Sequence, residues 1–350
     1  MTASTMSDID IRIEGRAGRI TLTRPQALNA LTYDMCMAID AALIRWRDDP
    51  AVALVLIDAA GPRAFCSGGD IADMYATGTA GDFSYGRRFW RDEYRMNARL
   101  FEYPKPTVSF LQGFVMGGGV GVGCHAGLCI VGETSQVAMP ECGIGLIPDV
   151  GGTMILARAP GHLGEYLGCT GARMAAADAI LAGFADLFVP ESEWDFIKLA
   201  MIETGRPEVT GVTPPPGRLA ALRPLIDRHF AGDTIADVLR SLRAEDSDFA
   251  RDTLKTLGRN APLSMACTVE ALHRLGDAPD IRAALEMEYR FTHRAMERAD
   301  FLEGIRAAII DKDRTPRWRH ASPDAVPGAE VSQMLLPLGE DALTFEEDAA

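Results

Sequence analysis

Residues 139–153 read Met-Pro-Glu-Cys-Gly-Ile-Gly-Leu-Ile-Pro-Asp-Val-Gly-Gly-Thr, and no other stretch restricts the chain as strongly. Two carboxylates, Glu141 and Asp149, stand eight residues apart among apolar residues and glycines. Burial raises a carboxyl pKa, so an acid in such a segment is costly to ionise unless something uses it. The pair are candidates for general acid, general base or nucleophile. Taken alone, the segment also fits two loop acids ahead of a helix that starts at Gly151.

Two glycine loops precede it. The first is Ala64-Phe65-Cys66-Ser67-Gly68-Gly69-Asp70-Ile71, between an apolar run at Val52 and an expected helix. The second runs from Gly113 to Gly123, with Gly117, Gly118 and Gly119 consecutive, after an expected strand at Thr107. Glycine lets a backbone N–H approach a ligand without an intervening Cβ. Each loop can offer such donors at a helix start, where negative charge is favoured. Two donors converging on one point make an oxyanion hole; either loop alone is equally what a tight turn or close packing requires. The second loop lacks the spacing of a dinucleotide-binding fingerprint, and no ribose-binding acid follows at the right distance.

The chain has 350 residues, enough for one large domain or one domain with an added lobe. Its net charge of −14 disfavours nonspecific nucleic-acid binding and obliges any anionic ligand to find local cations. No stretch is long and apolar enough to span a bilayer. The N-terminal segment has neither a signal-peptide core nor an Arg-rich amphipathic pattern, so a cytoplasmic location is expected. Seven cysteines (36, 66, 124, 129, 142, 169, 267) are scattered without a CxxC pair, which predicts reduced thiols and neither a disulfide framework nor a zinc site.

Alternation predicts strands at Ile9–Ile13 and Ile20–Thr23, paired as a hairpin. Met35, Ile39, Leu43 and Trp46 recur at helical spacing. Val52–Ile57 reads as a buried strand, 83–103 as a helix, and Thr107–Leu111 and Leu128–Val131 as further strands, an α/β pattern that extends over residues 9–205. Thr210–Arg218, with three consecutive prolines, is the expected linker. Beyond it, Ile235/Val238/Leu239/Leu242, Met265/Val269/Leu272/Leu275 and Leu285/Tyr289/Met296 form apolar helical stripes within 218–321, read as core. Residues 322–350 are expected to be a flexible tail.

FCSGGDI, GFVMGGGVG and MPECGIGLIPDVGGT, in this order, resemble the crotonase (enoyl-CoA hydratase/isomerase) superfamily, as does Ala27-Leu28-Asn29-Ala30-Leu31. The resemblance implies an α/β fold, the crotonase-like spiral of ββα units, with a helical C-terminal region. It implies an acyl-CoA substrate, no separate cofactor, and an oxyanion hole made by the Gly69 and Gly118 N–H groups. Trimers or hexamers are typical of the superfamily, and an added C-terminal lobe could cover the trimer surface, which leaves the oligomeric state open. Hydratases carry a second Glu just after the triple glycine, where this chain has Gly121, and usually a glycine where it has Asp149. The Glu141–Asp149 pair, Glu93 in Phe89-Trp90-Arg91-Asp92-Glu93-Tyr94, and the C-terminal Glu288-Tyr289-Arg290, 300–307 and 310–318 segments resemble the 3-hydroxyisobutyryl-CoA hydrolase subfamily.

That resemblance implies hydrolysis of a 3-hydroxyacyl-CoA thioester. Glu141 would attack the carbonyl or activate a water, Asp149 would orient the hydroxyl or water, and Glu93 would read the 3-hydroxyl. Glu93 also fits a solvated charged helix face. Arg24, Arg63 and Lys105 are candidate cations for the CoA phosphates. His125, beyond the glycine loop, reads as structural, and Cys66 and Cys142 as small fillers. Two alternatives stay open: hydration or isomerisation with Glu141 as sole base, and a non-catalytic acyl-CoA-binding protein.

Overall fold

A computed structural model describes residues 8–345. Residues 1–7, the start of the N-terminal segment, and 346–350, the end of the expected tail, lie outside the described residues. In chain order the elements are β1 (Ile9–Glu14), β2 (Ala17–Leu22), α1 (Tyr33–Trp46), β3 (Leu54–Ala59), β4 (Ala64–Cys66), α2 (Ala72–Thr79), α3 (Ser84–Phe101), β5 (Thr107–Leu111), β6 (Phe114–Met116), α4 (Gly118–Gly123), β7 (Leu128–Val131) and β8 (Gln136–Ala138). There follow α5 (Gly152–Arg158), α6 (Leu163–Thr170), α7 (Ala176–Leu181), β9 (Leu187–Phe188), α8 (Trp194–Thr204), α9 (Leu219–His229), α10 (Ile235–Arg243), α11 (Asp248–Leu257), α12 (Pro262–Leu275), α13 (Ile281–Arg298), α14 (Phe301–Ile305) and α15 (Gly328–Met334).

The chain divides into two compact units, each built from three segments. The first comprises residues up to 70, 96–137 and 173–217; the second comprises 71–95, 138–172 and 218 onward. The sequence division into 9–205, 218–321 and 322–350 follows the chain, whereas the structural division follows packing. Segments 71–95 and 138–172, which carry Glu93, Glu141 and Asp149, fall in the unit of the C-terminal helices.

In the first unit a six-stranded sheet has the order β1-β2-β3-β5-β7-β9, and a second sheet has the order β4-β6-β8. Only the β1–β2 pair is antiparallel in the larger sheet; β2–β3, β3–β5, β5–β7 and β7–β9 are parallel. The backbone steps from a large-sheet strand to a small-sheet strand three times (β3 to β4, β5 to β6, β7 to β8), which is the expected spiral. β5 and β7 occupy the predicted residues; the hairpin return strand begins at Ala17, earlier than Ile20, because its small first residues still pair with Glu14 and Ile13. The core of this unit is Ala17, Leu54, Leu56, Val108, Phe110, Ile130, Val189 and Trp194, with Met201 and Ile202 from α8. Phe110 and Trp194 meet edge to face at 5.3 Å between centroids, a favoured aromatic geometry.

In the second unit, α10 is capped by a Thr234–Asp237 capping box and buries the stripe read from sequence, Ile235, Val238, Leu239 and Leu242. α12 is buried over ten of its residues, including Ser264 and Thr268, so it is a central helix rather than a one-faced one. α14 continues as a π-helical turn over Arg306–Ile310. Beyond Ser322, where a flexible tail was expected, α15 buries Val331 and Met334, and Leu335 and Leu343 are buried as well. The Arg294 guanidinium donates to the carbonyls of Met334 and Leu336 at 3.1 and 2.8 Å. These apolar anchors at i, i+3 and i+4 are few and follow a Pro-containing stretch, so composition hides them.

Candidate active site

Gly69 and Gly118 belong to the first unit, and Glu93, Glu141 and Asp149 to the second. The Ala27–Leu31 motif explains how the first glycine loop is held. Leu28 and Asn29 both adopt left-handed backbone, and the buried Asn29 amide donates to the carbonyls of Ala60 and Ala64 at 2.9 Å each. The Leu31 N–H then donates to the Gly68 carbonyl at 2.9 Å, and the Asp70 N–H to the Leu31 carbonyl at 2.8 Å. Leu31 thus bonds on both sides of Gly69, and in a strand-like ladder the intervening N–H points the other way.

In the second loop the Val120 N–H donates to the Gly117 carbonyl at 2.7 Å, which starts α4. The Gly118 N–H lies in the first turn, where a helix supplies no acceptor. The two loops touch: a Cβ on Gly119 would collide with the Cys66 backbone. Only glycine permits that approach, so Gly119 is a packing requirement within a loop that also offers N–H donors.

Glu141 opens a 3-10 turn, Glu141–Ile144, which ends at Gly145 in left-handed backbone. A Cβ on Gly145 would meet the Asp300 and Phe301 backbone at 2.5–2.8 Å, so this glycine seats the Glu141 turn under α14. Glu141 is buried, and its Oε2 has no hydrogen-bond partner among the described residues. Burial, and then the charge of Asp149, push its carboxyl well above the usual range. Asp149 is buried too, and the Tyr94 hydroxyl donates to its Oδ2 at 2.8 Å. Burial raises Asp149 to about 7 against that hydrogen bond.

Glu93 and Tyr94 are neighbours on α3. Glu93 is buried, not solvated, and its Oε1 has no hydrogen-bond partner among the described residues. Burial and the Asp149 charge raise its carboxyl well above the usual range. The second unit therefore brings together all three carboxylates named from sequence, each with its carboxyl raised above the usual range. Carboxyls this close titrate as a set rather than singly.

Residues not assigned a role from sequence complete the cluster. Glu288 on α13 is fully buried and accepts from the Gly151 N–H at 2.8 Å, the Thr153 N–H at 3.0 Å and the Thr153 hydroxyl at 2.5 Å. Burial, with the Asp149 charge, raises it to about 8 against those bonds. Thr292, one turn further on α13, lies 3.5 Å from the Tyr94 hydroxyl. A buried Glu and Thr four apart on an apolar stripe were the available signal.

The candidate cations fare differently. Lys105 donates to the Trp46 and Asp49 carbonyls at 2.6 Å each, and its role is to tie α1 to the strand that follows. Arg24 is taken up by the Ala30 carbonyl and by Asp8 and Asp70. Arg63 is exposed beside β4. His125 is buried edge to face with Phe101 at 5.8 Å. Cys142 is buried against Thr268, which with the apolar surroundings suits a filler; burial pushes its thiol up to about 12. Among the described residues no group of three or more His, Cys, Asp or Glu could hold a metal ion, and no helix is long and apolar enough to cross a membrane.

The profile of the enoyl-CoA hydratase/isomerase family matches residues 17–335. The chain belongs to the enoyl-CoA hydratase/isomerase family. Among curated relatives, the mitochondrial 3-hydroxyisobutyryl-CoA hydrolase of Rattus norvegicus is 35% identical over 97% of this chain and 91% of its own length. The protein of the same name from Homo sapiens is 34% identical over 95% and 89%. Among solved structures, one described as an enoyl-CoA hydratase from Rhodobacter sphaeroides 2.4.1 superimposes with a TM-score of 0.95 at 60% identity, over 97% of this chain and 100% of that one. Another, described as a carnitinyl-CoA dehydratase from Mycobacterium thermoresistibile, gives 0.92 at 40% identity, over 98% and 100%. The α/β architecture with its parallel sheet is thus the crotonase fold of this family.

Proposed function

We propose that the protein hydrolyses a 3-hydroxyacyl-CoA thioester, with 3-hydroxyisobutyryl-CoA as the substrate. Its kinship with relatives named for that hydrolysis makes the chain an acyl-CoA thioester hydrolase by family; the acyl group and the residue roles are the finer part of the proposal. The observation that carries it is the buried Glu141–Asp149 pair, with one Glu141 oxygen unpartnered among the described residues and the charge of Asp149 acting on it.

In this reading the thioester oxygen accepts from the Gly69 and Gly118 N–H groups as it becomes an oxyanion. Glu141 either attacks the carbonyl carbon or takes a proton from a water that attacks it. Attack by Glu141 breaks the C–S bond, releases CoA thiolate and leaves a mixed anhydride that water hydrolyses. In the water route the proton passes on to the departing thiolate. Asp149, held by Tyr94, orients the water or the 3-hydroxyl. Glu93, with a free buried oxygen, accepts from the 3-hydroxyl. Arg63, exposed beside the first glycine loop, meets the CoA phosphates. A site with such buried acceptors rejects acyl groups that lack the hydroxyl, because its polar atoms would be left unpaired.

A hydratase reading draws on the names of the neighbouring solved structures. Against it stands Gly121, which leaves Glu141 without a second glutamate just after the triple glycine. Both readings are tested by measuring free CoA released from 3-hydroxyisobutyryl-CoA, 3-hydroxypropionyl-CoA and isobutyryl-CoA, with loss of conjugated absorbance from crotonyl-CoA in parallel. Fast CoA release from the hydroxylated esters alone is the expected result. Crotonyl-CoA turnover without CoA release would favour the hydratase, and binding without any turnover a non-catalytic protein.

A further inference from the structure

We propose that Glu288 is a positioning residue for Asp149, which it holds in place through the strained turn from Val150 to Thr153. The proposal rests on the hydrolase reading for what Asp149 does, but its geometric basis is separate.

Val150 adopts a φ of 53° and Gly151 a φ of 81°. Left-handed backbone at a β-branched residue is a true outlier that the surroundings must offset. It falls directly after Asp149, so any relaxation of the turn redirects the Asp149 carboxylate. α5, which follows, has Gly151 as its N-cap and no side-chain cap of its own. The donors at this helix start go instead to a carboxylate 137 residues away in sequence: Glu288 Oε2 takes the Gly151 N–H, and Oε1 takes both the Thr153 N–H and its hydroxyl. The Gly152 N–H returns to the Asp149 carbonyl at 2.7 Å.

A local Ser or Asp would cap α5 as well. What the distant carboxylate adds is register with α13. The same helix presents Thr292 to the Tyr94 hydroxyl, and Tyr94 donates to Asp149. One face of α13 thereby fixes the backbone beyond Asp149 and backs the donor on its carboxylate. Glu288 is fully buried, so the Gly151 and Thr153 donors meet its carboxylate away from solvent.

The experiment compares Glu288→Gln in the wild-type and Asp149→Asn backgrounds. Gln keeps the size but sets an NH2 where one oxygen accepts. Glu288→Gln is expected to lower kcat for 3-hydroxyisobutyryl-CoA about 10- to 100-fold with KM within about threefold. In the Asp149→Asn background its further effect should stay within about threefold, because the two residues act as a unit. Hydrogen exchange of the 151–153 amides should speed up about tenfold or more while α6 is unchanged. Thr153→Val, a milder variant that removes one donor, should show the same non-additivity on a smaller scale if Glu288→Gln fails to fold. An equal loss of kcat in both backgrounds, or unchanged exchange at 151–153, overturns the proposal. If the wild-type protein releases no CoA, the hydrolase reading falls, and the exchange arm alone decides whether Glu288 holds the turn.

Discussion

Tyr94→Phe removes one hydroxyl, whose short hydrogen bond is to Asp149. The ring packs edge to face against Tyr289, with centroids 6.2 Å apart, and Phe preserves that contact. What is lost is the hydroxyl that donates to Asp149 Oδ2 at 2.8 Å in a buried site. A hydrogen bond to a charged group contributes about 1.5–3 kcal/mol, and one pKa unit corresponds to about 1.36 kcal/mol. Asp149 stands at about 7, raised by burial and held down by Tyr94. Removing the donor favours the protonated form, so the carboxyl rises by about 1–2 pH units. If Asp149 works as a carboxylate, activity rises with pH as the carboxyl set ionises, and the acid limb of kcat/KM moves up when the Tyr94 hydroxyl is lost. At pH 7 the ionised fraction falls from about one half to roughly 1–10%, a loss of about 5- to 50-fold that is largely recovered near pH 9. The assay is CoA release across pH 5–10 with both enzymes. A limb that stays in place, with or without a uniform loss of rate, would refute the assignment of Tyr94 as the hydroxyl that keeps Asp149 ionised.

Two further outcomes follow from the same geometry. Asp149 is raised from the ordinary carboxyl range to about 7, so between about pH 4 and 7 the folded chain holds a proton that the unfolded chain releases, and stability falls as pH rises through that window; Asp149→Asn should therefore unfold at a temperature about 2 °C or more higher than wild type at pH 8, with the gap closing toward pH 4 in thermal melts, while its CoA release collapses. Gly119→Ala forces the second glycine loop away from the Cys66 backbone and should lower kcat about 10²- to 10³-fold, the scale of losing one oxyanion donor, with acyl-CoA binding by calorimetry largely kept.

Much of this architecture is legible along the chain because it is local. β5 and β7 are short apolar runs, and α10 shows its capping box and stripe within nine residues. Glu141, Asp149, Glu93 and the two glycine loops stand in compact motifs, so resemblance reaches them. The remainder depends on contacts distant in sequence. Tyr94 meets Asp149 across 55 positions and Glu288 meets Thr153 across 135, and no periodicity encodes such pairings. Glu288 and Thr292 look like polar interruptions of a core stripe until the turn beneath them is seen. Lys105 lies close to the motifs in sequence, yet backbone carbonyls already claim its ammonium. The same limit hides the division into units, since residues 71–95 and 138–172 are neighbours of the C-terminal helices only after folding.

The most direct test of the central claim is CoA release from 3-hydroxyisobutyryl-CoA by Glu141→Gln, with binding of the same ester followed by calorimetry. Glu141 is the buried carboxyl with an oxygen unpartnered among the described residues, and the amide can neither attack the thioester nor accept a proton from water. The account predicts a fall in kcat of at least about 10²- to 10⁴-fold with an affinity for the ester close to that of the wild-type protein. Turnover by Glu141→Gln near the wild-type rate would contradict it.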